Sequence, residues 1–433
     1  MENKKLSQII SKNKNTSYGR AFSFDKIKTI ADYQKYLPIT AYDDYGPYIE
    51  RIANGEQNVL TKEEVIMFEP SSGSMSAKKL IPYTKSLKSE FAKAVWAWLW
   101  NLNKHFPNLK YGQFYFSITP QGLQEQYTSS GIPIGFDGDE EYFGSLLGKL
   151  AGKKFCVPNS VKNIQDIDEF WEATVRYIKN AKKLRLLSIW NPTFLLIMLE
   201  KAGMPPQKLF PNLEVISCWA DGNSKPYAEK LQKLFPDVYI QPKGLIATEG
   251  IMTIPLEGIG KKLTNSHFFE FQDKNGDILL CDQLTTDETY DIILTTQGGF
   301  YRYKIGDLVL YKGNNCFDFA GKSGNVSDYF GEKLNESHVK TVIQGEGFRL
   351  LAPDGSRYVL YTETDASIDK IEKGLCENFH YEYCRKIGQL QCVEIMKIQN
   401  GEQQYIDNCL SFGMRLGDIK PIFLSNRKGW KFQ

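Results

Sequence analysis

The sequence predicts an α/β protein: a large N-terminal domain of α/β sheets with a barrel-like antiparallel part, then a small α+β C-terminal domain. Up to about residue 238, buried-strand patterns alternate with amphipathic helix patterns, which is typical of mainly parallel sheets. Short strands separated by turns follow and predict antiparallel pairing. Beyond the turn-rich segment 321–325 the pattern is mixed again. The predicted domains are therefore 1–321 and 322–433.

The first part of the chain supplies the strands and helices of the parallel sheets. Apolar residues recur at spacings of three and four, at Phe91, Val95, Trp98 and Leu102, and predict a helix over 85–105. Pro192 is tolerated in the first turn of a predicted helix, where its missing N–H costs nothing. In chain order, strands are predicted at 65–69, 80–83, 111–119, 185–190 and 213–219, and further helices at 166–182, 192–201 and 225–235.

The later elements are shorter and closer together. Asn275-Gly276 is a strong hairpin signal between two of the strands. Strands are predicted at 250–254, 267–272, 277–281, 290–296 and 307–311. The small domain is predicted to contain a strand at 357–364, a helix at 369–385 and a strand at 389–398.

Composition excludes several classes of protein. Lys and Arg number 53 against 51 Asp and Glu, a net charge of +2, so the chain has no bulk attraction to nucleic acid or to anionic membranes. No apolar core of a signal peptide follows the charged start, and Asn191 and Pro192 break the longest apolar run. The 8 cysteines form no CxxC pair. These features predict a cytoplasmic protein with reduced cysteines.

The segment PSSGSMSAKKLIP, residues 70–82, is the most informative in the chain. Its small hydroxyl residues, glycine and lysines offer backbone N–H donors, O–H donors and positive charge within one loop, as a polyphosphate requires. A flexible surface turn with solvated lysines is the alternative interpretation. The chain has neither a GxxxxGK[ST] loop nor a GxGxxG fingerprint.

In the segment QPKGLIATEG, residues 241–250, Thr248 and Glu249 follow a strand-like run and lie in a predicted turn at Gly250. A carboxylate at such a strand end can hold Mg²⁺, a hard cation that bridges phosphates. The alternative is a hairpin end with an exposed acid.

The segment GGFYRYKIGDLV, residues 298–309, places Arg302 and Asp307 near a turn. An aspartate there can accept hydrogen bonds from both hydroxyls of a ribose. The alternative is an Asx-type turn between two strands.

In this order, the three segments resemble the motifs of the Gretchen Hagen family of acyl acid amido synthetases, first known as auxin-responsive proteins. That family belongs to the superfamily of acyl-CoA synthetases, nonribosomal adenylation domains and luciferases. The motifs stand here as SSGSMSAKKLIP, GLIATEG and YRYKIGDLV, the last with one extra residue before Gly306. The resemblance covers nearly the whole chain, through LPITAYDDYGPYIERIANGEQNVL, ISCWADG, GKSGNVSDYFGEKL and MRLGDIKP.

The resemblance implies a role for each matching residue. It implies that Lys79 and Lys420 are catalytic, Lys420 reaching the active site from the small domain. It implies that Glu249 holds Mg²⁺. The residues implied to bind ATP are Ser71, Ser72, Gly73, Ser74 and Ser76 around the phosphates, Thr248 at the α-phosphate, Asp307 at the ribose, and Lys322 at the hinge.

The resemblance also implies the reaction and its partners. The expected enzyme uses ATP and Mg²⁺ to adenylate a small carboxylic acid and then transfers the acyl group to an amine, with an amino acid as the expected acceptor. The alternatives are an acyl-CoA ligase on the same fold and a binding protein that turns nothing over. The second is motivated by a phosphate loop one residue shorter than the family's, with Ala77 at its second glycine. The oligomeric state stays open, with a monomer as the expected form.

Aromatic residues of the large domain are the expected lining of the acyl pocket. The candidates are Trp96, Trp100, Tyr115 and Phe116, although residues of these types more often belong to the plain core.

Overall fold

The structure, a computed structural model, describes residues 2–71, 79–118, 126–135, 154–164, 166–322, 326–327, 332, 334–386 and 390–433. The chain divides into two compact units. The first comprises Met1–Asp221 and Lys225–Ala320, and the second comprises Gly222–Ser224 and Gly321–Gln433. In the part of the chain so described, no helix is both long and apolar enough to cross a bilayer.

The first unit opens with short helices and continues as alternating strands and helices. These elements, in chain order, are α1 Glu2–Asn13, α2 Ser17–Ala21, α3 Ile30–Tyr36, α4 Gly46–Ala53, β1 Val65–Ser71, β2 Lys79–Thr84, α5 Lys85–His105, β3 Gln113–Phe116, β4 Gln126–Tyr127, β5 Pro133–Ile134, α6 Ile167–Asn180, β6 Leu184–Ser188, α7 Pro192–Ala202, α8 Pro206–Leu209, β7 Val215–Cys218, α9 Lys225–Leu234 and β8 Tyr239–Pro242.

A parallel sheet of four strands, ordered β3-β6-β7-β8, confirms the predicted α/β arrangement. The helices that precede and follow its strands begin where the sequence supplies caps. Thr84 accepts a hydrogen bond from the Leu87 N–H at 3.1 Å and starts α5. Asn191 caps α7 through the Thr193 N–H, and Pro192 occupies the first turn, as predicted.

Antiparallel strands follow along the chain. They are β9 Ile246–Ala247, β10 Gly250–Ile251, β11 Thr253–Leu256, β12 Gly260–Leu263, β13 Phe268–Gln272, β14 Ile278–Leu279, β15 Thr289–Thr295, β16 Tyr303–Tyr311 and β17 Phe317–Lys322. All of their residues except the last two of β17 belong to the first unit. The predicted barrel-like part is an open five-stranded sheet, ordered β14-β13-β15-β16-β17, and no closed barrel forms among the residues described. Asn275-Gly276 lies in the predicted hairpin between β13 and β14, where Gly276 takes a φ of +92°.

The second unit has a core of its own around Leu351, Leu360 and Leu375. Its elements are β18 Val326–Ser327, β19 Leu334–Asn335, α10 Glu336–Val342, β20 Arg349–Asp354, β21 Arg357–Thr362, α11 Ile368–Leu375, α12 Phe379–Lys386, β22 Glu394–Lys397 and α13 Gly401–Ser411. The helix predicted over 369–385 is two helices, because α11 ends at Leu375 and the Asn378 side chain accepts the Tyr381 N–H at 3.1 Å and starts α12.

A buried ion pair ties the N-terminal helices to the antiparallel sheet. Arg302 Nε donates to Glu270 Oε2 at 3.0 Å, with side-chain exposures of 6% and 1%. The same guanidinium donates to the carbonyl oxygens of Gln34 at 3.1 Å and Leu37 at 2.7 Å. Arg302 therefore completes the carboxyl end of α3 and is structural.

Replacing Glu270 by glutamine is expected to lower the free energy of unfolding by about 3 kcal/mol, because the buried guanidinium loses its counter-charge. Urea unfolding followed by circular dichroism measures the change. The matched control is Asp168→Asn in the exposed Lys201–Asp168 pair, which should unfold as the parent does. Equal stability of all three proteins would contradict a role for the buried pair.

Candidate active site

Thr248 and Glu249 are the two central residues of a tight turn. Ala247 pairs with Gly250 and Ile246 with Ile251, so β9 and β10 form a short hairpin around them. A Cβ on Gly250 would lie 2.7 Å from Nε2 of His267, so a side chain at that position would clash with the imidazole. The glycine of the ATEG segment is therefore required by packing.

His267 fixes the hairpin through a hydrogen bond to the backbone of β10. Its Nε2 accepts the Ile251 N–H at 3.1 Å. Complete burial lowers the pKa of His267 to about 3, so the imidazole is neutral at physiological pH and serves as a hydrogen-bond acceptor rather than a charge.

Two tyrosines hold the turn from the neighbouring strands. The Tyr83 hydroxyl, on β2, donates to the Thr248 carbonyl at 2.6 Å. The Tyr303 hydroxyl, at the start of β16, donates to Glu249 Oε1 at 3.3 Å. Burial, and then the nearby Glu249 carboxylate, raises the pKa of Tyr303, which keeps that hydroxyl protonated as a donor. The Glu249 carboxylate, 8% exposed, is thus held in one position with little water around it.

Lys79 is the first residue of β2, opposite Ser71 in the register of β1 and β2. Its ammonium lies 5.3 Å from the ring centroid of Tyr42. The Tyr42 hydroxyl accepts the Leu80 N–H at 2.6 Å, which fixes the ring beside the start of the strand. Ser72, Gly73, Ser74 and Ser76 lie outside the described residues, and Ser71 is described only as the last residue of β1. The ends of the loop are therefore placed at Ser71 and Lys79.

Asp307 lies in an irregular stretch of β16. Asp291 pairs with Leu308 and Ile293 with Lys304, so the register shifts between them and Ile292 faces a bulge of residues 305–307. Gly306 has a φ of +78°, in the region that favours glycine. Bulges re-aim side chains, and this one contains Gly306 and Asp307 of the sequence motif. Asp307 is 5% exposed and follows Tyr303, the tyrosine that contacts Glu249, on the same strand.

Lys322 and Lys420 lie on other elements. Lys322 is the last residue of β17. Lys420 is exposed within the second unit, and its backbone carbonyl accepts the Tyr405 hydroxyl at 2.7 Å. The structure therefore places Lys79 and Asp307 on the two strands whose tyrosines contact the Thr248–Glu249 turn, and it describes Lys420 within the second unit.

A cavity opens at the carboxyl ends of the parallel sheet, where ligands of α/β proteins bind. Each strand contributes a residue at its end: Phe116 from β3, Ser188 from β6, Ser217 from β7 and Lys243 just after β8. The volume within which the centre of a water molecule can move is about 60 Å³, several times the volume that one ordered water requires. The other walls are Phe91, Val95 and Trp98 on α5, Trp190 after β6, Gly244 between β8 and β9, Ile246 and Ile251 on the hairpin, and Ile254 and Pro255 on β11.

The cavity agrees only in part with the aromatic residues expected from the sequence. Phe116 lines it, whereas Trp100 is 70% exposed and Tyr115 is core, at 1% exposure. Trp98 lines it in place of Trp100, because α5 turns the face of Phe91, Val95 and Trp98 inward. The helical spacing of those three residues was the signal that could have found them.

Lys243, Ser188 and Ser217 were missed as lining residues. Ser188 and Ser217 stand near the ends of predicted strands, which was the available signal. Lys243 follows β8, a strand that was not predicted. Which of many strand-end residues face one cavity depends on the order of the strands, and that order is not readable from local pattern.

Models of the GH3 family match the chain in three places. The GH3 family N-terminal domain matches residues 1–204, the central domain residues 261–318 and the C-terminal domain residues 335–429.

Curated relatives are similar over most of their length. The 4-substituted benzoates-glutamate ligase GH3.12 of Arabidopsis thaliana is 23% identical, with 83% of this chain and 78% of that protein covered. The indole-3-acetic acid-amido synthetase GH3.2 of the same organism is 20% identical, with 84% and 80% covered. The jasmonoyl-L-amino acid synthetase JAR6 of Nicotiana attenuata is 20% identical, with 96% and 89% covered.

Solved structures share the fold. The AtGH3.15 acyl acid amido synthetase in complex with 2,4-DB superposes with a TM-score of 0.80 at 16% identity, over 98% of this chain and 90% of that one. A 2-hydroxyisobutyryl-CoA ligase in complex with 2-HIB-AMP superposes with a TM-score of 0.55 at 11% identity, over 92% and 85%.

Proposed function

The chain belongs to the GH3 family, and from that premise we propose that it is an ATP-dependent acyl acid amido synthetase, which adenylates a small carboxylic acid and joins the acyl group to an amino acid. The observation that carries the proposal is the Thr248–Glu249 turn, which Tyr83 and Tyr303 contact from the strands that also carry Lys79 and Asp307. The base of the same hairpin lines an apolar cavity. The curated relatives reported above are named as acid–amino acid ligases, which favours an amine over a thiol as the acceptor.

The first step forms an acyl adenylate. A carboxylate oxygen of the acid attacks the α-phosphorus of ATP, the bond to the β-phosphate oxygen breaks, and pyrophosphate leaves. Negative charge grows on the phosphate oxygens, and fixed donors and cations stabilise it without reorganising. Lys79 supplies one such cation at the start of β2, and Asp307 is proposed to hold the ribose hydroxyls.

The Glu249 carboxylate fits a Mg²⁺ ligand, because it is nearly buried and oriented by the Tyr303 hydroxyl. Mg²⁺, when bound, neutralises charge on the phosphate oxygens. Thr248, whose carbonyl is fixed by Tyr83, presents its side chain from the same turn and is proposed to contact the α-phosphate.

The second step forms the amide. The amine nitrogen attacks the acyl carbon, the bond to AMP breaks, and the nitrogen releases a proton. We propose that residues 322–433 act as a mobile domain between the two steps, with Lys322 at its hinge, as in enzymes whose domain motions order successive reactions.

We also propose a cytoplasmic location. All 8 cysteines are free, and most are buried. Unpaired cysteines are typical of a reducing compartment.

The product identifies the reaction. The protein is incubated with ATP, Mg²⁺ and a panel of carboxylic acids, together with either the common amino acids or coenzyme A, and the products are weighed by mass spectrometry. The proposal predicts an acyl-amino acid conjugate with release of AMP. A thioester as the only product would establish the acyl-CoA ligase instead, and ATP binding without any product would establish a binding protein.

Replacing Glu249 by glutamine is expected to lower the rate of acyl-adenylate formation about a hundredfold and to raise the Mg²⁺ concentration needed for half-maximal rate, because the anionic ligand is lost. Pyrophosphate exchange at a series of Mg²⁺ concentrations measures both. Tyr303→Phe, which keeps the carboxylate and removes only its hydrogen bond, should cost less than tenfold. An unchanged Mg²⁺ dependence in Glu249→Gln would refute the assignment of the metal ligand.

A further inference from the structure

Among the residues that the structure describes, the lining of the cavity at the ends of the parallel sheet is apolar except at one side. There the Lys243 ammonium lies 5.3 Å from the ring centroid of Trp98 and 4.9 Å from that of Trp190. It donates to Ser188 Oγ at 2.7 Å. The two indole rings and the serine hold the ammonium in place, so a positive charge forms part of an otherwise aromatic and aliphatic wall.

A second polar group lines the same side. Ser217 is 0% exposed and also lines the cavity, and its Oγ has no hydrogen-bond partner among the residues that the structure describes. A buried hydroxyl without a partner costs free energy, which a ligand that accepts its hydrogen bond would recover. Ser217 and Lys243 therefore point to a ligand group that accepts hydrogen bonds and carries negative charge.

The reacting carboxylate belongs at a different place. Under the proposed function it meets the α-phosphate near Thr248, at the tip of the β9–β10 hairpin. Ile246 and Ile251, paired at the base of that hairpin, line the cavity. At roughly 3.3 Å per strand residue, the tip stands about two residues beyond them. An acid that reaches from the tip into the cavity thus presents its far end to the sheet, where Lys243 and Ser217 lie.

Resting on the proposed function, we propose that the acyl substrate is a dicarboxylic acid, whose second carboxylate is bound by Lys243 and Ser217 at the ends of the parallel strands. The apolar side chains of α5 and the hairpin surround the carbon skeleton between the two carboxylates. A carboxylate is chosen over a neutral acceptor because a charge-assisted hydrogen bond to the half-buried Lys243 ammonium is stronger than a neutral one.

Matched pairs of acids test the proposal. Acid-dependent pyrophosphate exchange is measured with hexanoate against hexanedioate and with benzoate against benzene-1,4-dicarboxylate. The readout is the ratio of kcat/KM between the diacid and the monoacid of each pair. The parent protein is expected to favour at least one diacid by tenfold or more.

Lys243→Met keeps a side chain of similar length against Trp98 and Trp190 and removes the charge. It is expected to lower the diacid-to-monoacid ratio by about thirtyfold. Lys243→Arg should retain most of the preference, and Ser217→Ala should lower the ratio by about threefold. If Lys243→Met does not fold, the ratios of Lys243→Arg and Ser217→Ala decide.

Either of two results would overturn the inference and leave the proposed function intact. One is a parent protein whose kcat/KM for exchange is as high with the monoacids as with the diacids. The other is a Lys243→Met variant whose kcat/KM falls equally for both members of a pair. Absence of exchange with every acid, mono or di, would instead overturn the proposed function on which the inference rests.

Discussion

Asp307→Ala is expected to lower acid-dependent pyrophosphate exchange by at least a hundredfold. Asp307 is 5% exposed and is presented by the bulge of β16, four residues after the tyrosine that contacts Glu249. Loss of its carboxylate removes two proposed hydrogen bonds to the ribose and leaves the α-phosphate poorly positioned, and a factor of one hundred corresponds to about 2.7 kcal/mol of transition-state stabilisation.

The control for this substitution lies in the same sheet region. Asp287 is an exposed aspartate paired with Lys312, with 65% of its side chain accessible. Asp287→Asn should leave exchange near the parent rate. Exchange by Asp307→Ala within threefold of the parent, with the circular dichroism spectrum preserved, would remove Asp307 from the nucleotide site.

Lys420→Ala is expected to lower acyl-adenylate formation at least a hundredfold without changing the melting temperature. The side chain is exposed within the second unit, so its truncation creates no cavity there. A cation supplied from the small domain can stabilise the charge that grows on the α-phosphate as pyrophosphate leaves. The amide-forming step from a pre-made acyl adenylate should be affected much less.

Exchange measured beside single turnovers of the pre-made adenylate separates the two steps. Lys373→Ala, on an exposed face of α11, is the matched lysine control and should resemble the parent in both. Equal losses in the two steps, or no loss in either, would contradict a role for Lys420 in adenylation.

Local pattern predicted much of the first unit because its strands and helices have clear periods. The face of α5 and the Pro192 start of α7 are examples, and the parallel sheet followed from the alternation of elements. The helices of residues 2–53 were not predicted, because they are short and their stability comes from packing rather than from intrinsic propensity. The break between α11 and α12 depends on a single capping side chain, Asn378.

The residues of the candidate site also fall into those that local pattern indicated and those that depend on partners distant in sequence. Thr248 and Glu249 stood out as candidates because they follow a strand-like run within a short motif, and Asp307 stood out because it lies near a turn in another. Arg302, from the same motif as Asp307, proved to be structural. The sequence could not show this, because its partner Glu270 lies far away along the chain. Lys243 and Ser217 could not be grouped before the strand order was known.

Acid-dependent exchange of labelled pyrophosphate into ATP is the most direct test of the central claim, which is that this chain adenylates a carboxylic acid. Purified protein, ATP, Mg²⁺ and labelled pyrophosphate are incubated with each acid of the panel and with no acid. Label is expected to enter ATP only when an accepted acid is present, and Asp307→Ala is expected to abolish the signal. The claim is contradicted if none of the acids in the panel causes label to enter ATP although the protein still binds ATP.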